Sequence, residues 1–301
     1  MKIAISGLGR MGAQIAQKLA EGGHEVIAHN RSPEPVEAAK EYGAIPAFTK
    51  EEVLAAFGDD TPIIWLMIPA NVIDSELDAW LDLVPEGSIL IDGGNSDYRG
   101  DAARAERGAE KGSTLLDIGT SGGVWGYERG FAMMAGGDKT AYMRITPALD
   151  TLAAPGGAHD HFGPTGAGHY VKMVHNAIEY GMMESLAEGY RMLKEGPYKD
   201  IDLASAGDVW EKNSVITSWL NDLTRQALHE NPFMEGIDGI VAESGEARWT
   251  LETADDLGIP LPSIQASFDV RLASQAGETT FATKLLAAMR NKFGGHDIQG
   301  K

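Results

Sequence analysis

The chain has no cysteine in its 301 residues. That excludes disulfides, thiolate metal ligands and a cysteine nucleophile, and it leaves the redox compartment unreadable from thiols. Positive charge is scarce: 25 Lys and Arg stand against 44 Asp and Glu, a formal net charge of -19. A balance of that sign argues against a general nucleic-acid binder and against docking on an anionic membrane, and an anionic small substrate would need a local cationic pocket. Nowhere does an apolar run approach the roughly 20 residues of a membrane span. The opening Met1-Lys2-Ile3-Ala4-Ile5 reads as a strand and lacks the apolar core and cleavage site of a signal peptide, so a cytoplasmic location is expected. Metal-ligand spacings of carboxylate and histidine are also missing, and no metal is expected. Glycine, by contrast, is plentiful at 37 residues, and with 43% hydrophobic and 23% charged residues the composition is that of a globular protein long enough for two domains.

The first glycines carry a motif. An apolar run, Lys2 to Ser6, leads into Gly7-Leu8-Gly9-Arg10-Met11-Gly12 and then into helical periodicity through Leu19. Strand, tight turn and helix in that order are the context a dinucleotide-binding G-x-G-x-x-G requires. Gly7 permits the turn, Gly9 lets the backbone approach a pyrophosphate, and Gly12 allows close packing. A second strand, Glu25 to Ala28, ends not in an acidic residue but in Asn30-Arg31-Ser32. An acidic side chain there binds a ribose 2′-hydroxyl, whereas Arg31 and Ser32 offer donors to a 2′-phosphate, which favours NADP over NAD. The plain alternative for Arg31 is a solvated loop arginine.

Further apolar strands, Pro62 to Ile68 and Ser88 to Asp92, alternate with helical stretches near 35–42, 72–83 and 98–111, the pattern of a parallel sheet covered on both faces. Short strands at 131–135 and 158–162 should flank a helix capped by Asp138. Ligands in such sheets sit beyond the carboxyl ends of strands, so Asn95, Ser121, Gly122 and Gly123 are site candidates, although each is also an ordinary turn residue. Beyond Gly163 the chain turns helical: one long helix to Leu193, then 201–213, 216–229, 239–257, 262–275 and 280–292. The expected architecture is an N-terminal Rossmann dinucleotide-binding domain, 1–163, followed by an all-α domain, 164–301, for substrate binding and oligomerisation.

The long helix is unusual. Lys172, His175, Asn176 and Glu179 fall at i, i+3, i+4 and i+7 and share one face, while the other faces are apolar nearly all round. Such a helix is expected to be buried. Burying a lysine and a carboxylate costs several kcal/mol unless they are paired or face a polar cavity, so the stripe either lines a site or forms a structural Lys-Glu pair.

Together, Gly7-Leu-Gly-Arg-Met-Gly12, Asp92-Gly-Gly-Asn-Ser96, Ser121-Gly-Gly123 and Gly168-His-Tyr-Val-Lys-Met-Val-His-Asn-Ala-Ile-Glu179 resemble the decarboxylating 6-phosphogluconate dehydrogenases in their short-chain form, over the whole chain. Non-decarboxylating β-hydroxyacid dehydrogenases, the alternative reading, share the glycine motif, the Ser-Gly-Gly loop, the lysine and the asparagine. They lack the glutamate seven residues after the lysine.

The resemblance implies oxidation and decarboxylation of 6-phosphogluconate to ribulose 5-phosphate in the pentose phosphate pathway, with NADP or, as second choice, NAD. It implies Lys172 as the base and Glu179 as the acid, with Asn95, Ser121, Gly122, Gly123, His175 and Asn176 on the substrate and Asn95 on the cofactor as well. It places Tyr180, Arg248, Arg271, Arg290 and His296 at the substrate phosphate, the last two in a tail motif that a neighbouring subunit contributes. A homodimer or homotetramer is therefore expected.

Overall fold

The computed structural model describes residues 1–295 and Ile298. The chain divides into two compact units, Met1–Met173 and Val174–Lys301. In the first, strands β1 (Lys2–Ser6), β2 (Glu25–His29), β3 (Ile45–Ala47), β4 (Ile63–Leu66), β5 (Ile89–Asp92), β6 (Thr114–Ser121), β7 (Ala132–Gly137) and β8 (His159–Gly163) form one sheet in the order 3-2-1-4-5-6-7-8. All neighbouring pairs are parallel except β6 with β7. The edges are β3, which contains Pro46, and β8.

Helices cover the sheet on both faces: α1 (Arg10–Glu21), α2 (Pro33–Ala38), α3 (Lys50–Phe57), α4 (Ile73–Leu81), α5 (Asp101–Glu110), the short α6 (Gly126–Arg129) and α7 (Lys139–Leu152). Side chains alternate across the pleat, so Ile3 and Ile5 of β1 pack with Ile15, Leu19, Ile145 and Leu149 of α1 and α7, and Ala4 turns to Val53, Phe57, Leu77 and Trp80 of α3 and α4. Each large side chain so buried stabilises the fold by about 1.5–3 kcal/mol relative to exposure. Asp138 caps α7 as its position predicts, its Oδ1 accepting from the Ala141 N–H at 2.8 Å.

Helix α8 (Ala167–Glu195) runs unbroken from the first unit into the second. The second unit adds α9 (Leu203–Glu211), α10 (Trp219–Glu230), α11 (Glu246–Leu257), α12 (Pro262–Gln275) and α13 (Phe281–Gly294); α9, α10 and α13 pack around Met183, Tyr190, Leu228, Leu285, Leu286 and Met289, while Ala247 and Leu251 of α11 and Phe268 of α12 pack on Ala177 and Tyr180 of α8. The architecture is a Rossmann unit followed by an all-helical one.

Two expectations need correction, and β3 and α3 stand where none was stated. The helix read from Gly239 starts only at Glu246, because Gly239 and Gly245 sit at φ +80° and +100°, outside helical backbone. β3 and α3 leave too short a pattern to be read: three residues, one a proline, then a helix of barely two turns. And α8 is buried on one stripe rather than all round. Met173, Asn176, Ala177, Tyr180, Met183, Ala187 and Tyr190 face inward, while Tyr170, Ile178 and Met182 are 37%, 51% and 45% exposed.

Candidate active site

The glycine turn has the shape its sequence requires. Gly7 stands at φ +105°, and a Cβ on it would lie 2.3 Å from the Met67 carbonyl oxygen; one on Gly12 would lie 1.9 Å from the carbonyl oxygen of Gly7. Around Gly9 the space is open, and no side chain caps α1 there. That is a cradle a pyrophosphate fits, with the start of a helix directed at it. Leu8 is buried within the turn, and Met11 and Gly12 begin α1 beside the exposed Arg10. Asn30 holds the turn to the end of β2: its Oδ1 accepts from the Leu8 N–H at 3.0 Å, and its Nδ2 donates to the Ser32 carbonyl at 3.2 Å. Arg31 and Ser32 are exposed beside it.

Beyond β5 the chain turns through Gly93 and Gly94. Asp92 Oδ1 accepts from the Gly94 N–H at 3.1 Å and shapes the loop that presents the exposed Asn95. β6 ends at Ser121, followed by Gly122 at φ +147° and Gly123 at φ +55°. The next turn is clamped to α1: Gln14 donates to the Val124 carbonyl and accepts from the Tyr127 N–H, Lys18 donates to the Tyr127 carbonyl, and the Tyr127 hydroxyl donates to Glu21.

Lys172 is placed by close approach of backbones. A Cβ on Gly119 of β6 would fall 2.2 Å from the Lys172 Cβ, and one on Gly168 would fall 2.4 Å from the Met134 carbonyl oxygen. Only glycine at both positions lets α8 lie this close to the sheet. The buried Asp117 holds the helix start, its two oxygens accepting from the N–H groups of Gly166 at 2.8 Å and His169 at 2.9 Å. Lys172 is 6% exposed. Glu179 follows on the same face of the same helix, about 10 Å further along its axis.

In the second unit the polar stripe meets a second set of charges. Asn176 is buried and donates from Nδ2 to Glu246 Oε1 at 2.8 Å, and its Oδ1 lies 2.9 Å from His175 Nδ1. The Tyr180 hydroxyl accepts from the Ser244 N–H at 3.1 Å. Arg271, 1% exposed, lays its guanidinium 3.2 Å from the centroid of the Tyr180 ring. Burial, with nearby Arg290 acting in the same sense, holds Arg271 down to about 10, still charged at neutral pH. Arg290 is buried too and lowered by that burial, with Tyr180, Glu179 and Glu246 opposing. Two desolvated guanidiniums beside one tyrosine are a strong attractor for an anion.

The remaining site residues divide. Arg248 is exposed, bonded to Glu243 at 2.8 Å and stacked over Phe268. His296 lies outside the described residues. Sequence reasoning passed over Asp117, His169 and Glu246, although all three stand inside or beside quoted motifs; what marks them is burial, which a single sequence does not display. It also passed over Glu184, 7% exposed, whose carboxyl is pushed up to about 7 by burial and by Glu188, against the pull of Arg271.

Residues 2–167 match the NAD binding domain of 6-phosphogluconate dehydrogenase, and residues 168–299 match the 6-phosphogluconate dehydrogenase C-terminal domain. The NAD(+)-dependent, decarboxylating 6-phosphogluconate dehydrogenase of Haloferax volcanii is 39% identical over 100% of this chain and 99% of its own length. The decarboxylating enzyme of Haemophilus influenzae is 33% identical over 94% of this chain, which spans 62% of that longer protein. Among solved structures, Plasmodium falciparum 6-phosphogluconate dehydrogenase, determined in apo form and in complex with NADP+ and with 6-phosphogluconate, superposes with a TM-score of 0.84 at 30% identity, over 92% of this chain and 63% of that one. A 3-hydroxyisobutyrate dehydrogenase of Mycobacterium tuberculosis, 21% identical with a TM-score of 0.72, shares the fold. With a nicotinamide-dinucleotide cradle in one unit, a lysine seated on its sheet, and both halves matching along nearly their full length, this chain belongs to the 6-phosphogluconate dehydrogenase family.

Proposed function

We propose that this protein oxidises 6-phosphogluconate and decarboxylates it to ribulose 5-phosphate and CO2, reducing a nicotinamide dinucleotide. The observation that carries this reading is α8, which bears a buried lysine and, seven residues on, a glutamate on the same face. The bound nicotinamide supplies the hydride acceptor. Lys172 takes the proton of the C3 hydroxyl as the C3 hydrogen leaves with its electron pair. The resulting β-keto acid breaks its C1–C2 bond and releases CO2, and the protonated Lys172 holds the charge growing on the C3 oxygen. Glu179 then delivers a proton to the carbon that becomes C1 of the pentulose. Asn95, Ser121, Gly122, Gly123, His175 and Asn176 hold the sugar oxygens.

The phosphate falls to Tyr180, Arg271 and Arg290, whose buried charges supply the local cationic pocket that so acidic a chain needs. Arg248 and His296 are assigned to the same group. For the cofactor, Arg10, Asn30, Arg31 and Ser32 complete the site made by residues 7–12. We assign NADP as the preferred form, on the strength of the exposed Arg31 where an acidic residue would repel the 2′-phosphate. NAD remains the second choice, and the Haloferax relative carries NAD(+) in its name. We assign residues 1–163 to cofactor binding and 164–301 to substrate binding and to assembly as a homo-oligomer.

A spectrophotometric assay with 6-phosphogluconate, run separately with NADP and NAD while CO2 is trapped, tests the reading. Reduced cofactor with an equal yield of CO2 supports it. Reduction without CO2, or turnover of unphosphorylated hydroxy acids alone, moves the protein to the non-decarboxylating dehydrogenases.

A further inference from the structure

A buried network of charges lies one turn before Lys172, and the reaction steps above do not use it. His169 is 2% exposed, Asp101 0%, Asp92 1% and Asp117 0%. Nδ1 of His169 lies 2.7 Å from Asp101 Oδ2, and the other oxygen of Asp101 accepts from Arg104 Nη1 at 2.9 Å. Arg104 reaches on to Asp74 at the surface, with two bonds of 3.1 Å. Asp117 accepts two backbone N–H groups at the start of α8, and Asp92 Oδ1 accepts from Gly94.

Of the oxygens of Asp92, Asp101 and Asp117, every one has a hydrogen-bond partner except Asp92 Oδ2, and on the histidine ring the atom without one is Nε2. One polar atom from each of Asp92, Asp101 and His169 falls within 4.8 Å of the other two. A carboxylate oxygen and a ring nitrogen left over among the same three buried residues complete each other when the nitrogen carries a proton. With Asp101 ionised, the ring is then an imidazolium, donating at Nδ1 to Asp101 with Nε2–H left for Asp92; burial raises the Asp101 carboxyl too, and the bond and charge of His169 oppose that rise.

We propose that His169 is a positioning residue for Lys172: bonded to Asp101 of α5 and matched to the remaining oxygen of Asp92 at the end of β5, its ring ties the first turn of α8 to the loop that presents Asn95. Lys172, three residues on along the same helix face, takes its place over Gly119 from that tie. The proposal rests on the reading of Lys172 as the base. The charged groups that face the ring are Asp92 from β5, Asp101 from α5, itself bonded to Arg104, and Asp117 from β6. Burial alone would lower the histidine, but the bond to Asp101 and the charges of Asp92, Asp101 and Asp117 outweigh it and raise His169 to about 9. The positive form therefore holds across the neutral range and is lost as the pH rises through about 9.

The experiment combines a spectroscopic readout with kinetics. In wild-type protein labelled with 15N-histidine, the His169 ring should keep both nitrogens protonated up to pH 8. His169→Asn, which retains a donor near Nδ1 and loses the one at Nε2, should lower kcat for 6-phosphogluconate at least tenfold and move KM less than threefold. It should also speed amide exchange over residues 166–172. Asp101→Asn should reproduce the kcat loss, and the double variant should be no worse than either single, because both remove one tie. A ring with a single proton at pH 7 would overturn the proposal. So would a His169→Asn protein that melts lower but turns over normally per folded molecule, or a stoichiometric divalent cation retained by the pocket after dialysis. If wild-type protein fails to oxidise 6-phosphogluconate, the functional reading falls, and the ring protonation and amide exchange still decide the tie.

Discussion

Lys172 begins where a side chain on Gly119 would have to begin: the two Cβ positions would be 2.2 Å apart. The position of Lys172, the proposed base, is thus set by a missing methyl group on the neighbouring strand as much as by its own helix. Gly119→Ala should push α8 away from β6, destabilise the fold by about 1–3 kcal/mol through overpacking, and cost more in kcat than in cofactor binding. Thermal melting alongside titration with the reduced cofactor measures both effects. An alanine variant with wild-type kcat would show that the close approach is incidental.

Lys172→Met should abolish oxidation, because a general base contributes about 10²–10⁴-fold and its ammonium also stabilises the later charge. Glu179→Gln should act later, slowing CO2 release and product protonation while dinucleotide binding stays within threefold. Stopped-flow absorbance with parallel CO2 trapping separates the two steps. Hydride transfer retained without Lys172, or unchanged turnover without the Glu179 carboxyl, removes that residue from its assigned role.

Arg271→Lys keeps a charge but loses the flat guanidinium that lies on the Tyr180 ring. Charge-assisted hydrogen bonds contribute about 1.5–3 kcal/mol, so KM for 6-phosphogluconate should rise roughly tenfold or more. KM for the dinucleotide should not move. Inorganic phosphate, as a competitive inhibitor, should lose affinity in proportion, and a variant that kept its phosphate inhibition would place the substrate phosphate elsewhere.

Arg31→Asp places a carboxylate at the end of β2, where it favours a ribose hydroxyl and repels a 2′-phosphate. The ratio of kcat/KM for NADP over NAD should drop by about two orders of magnitude, the effect of a charge reversal at the position proposed to hold the 2′-phosphate. An unaltered ratio would make Arg31 a solvated loop residue.

Glu184 gives a prediction in stability. Its carboxyl is pushed up to about 7 in the folded chain, above the ordinary value of 4.5, so its contribution to stability is complete below pH 4.5 and is lost as the pH rises through 7. Glu184→Gln removes that loss. The variant should melt higher than wild type at pH 8, by an amount of the order of 2 kcal/mol, and equally at pH 4.5. Calorimetry at the two pH values reads the difference directly, and parallel melting curves at both would contradict it.

Much of this site stood in the chain before any coordinate. Gly7, Gly9 and Gly12 were legible because turn chemistry is local, and the stripe from Lys172 to Glu179 because helical spacing is. The seven-residue break before Glu246 was not, since Val241 and Ala242 continue an apolar pattern that the backbone of Gly239 and Gly245 interrupts. Nor was the network around His169. Asp92, Asp101, Asp117 and His169 come from two strands and two helices, far apart in sequence, and they meet only when the sheet forms. The tail motif grouped Arg290 with Tyr180 but expected it from a neighbouring subunit; its place beside that tyrosine within one chain depends on how α13 packs.

The two rims of the sheet bear on how molecules of this protein can associate. An open strand invites a stranger's backbone, and both rims are guarded: β3 is three residues long with Pro46 at its centre, and β8 bears His159, Asp160 and His161 in a row. Short, proline-blunted or charged borders are the devices by which proteins refuse strand addition. Addition of a further strand at either border is thereby disfavoured in the folded chain.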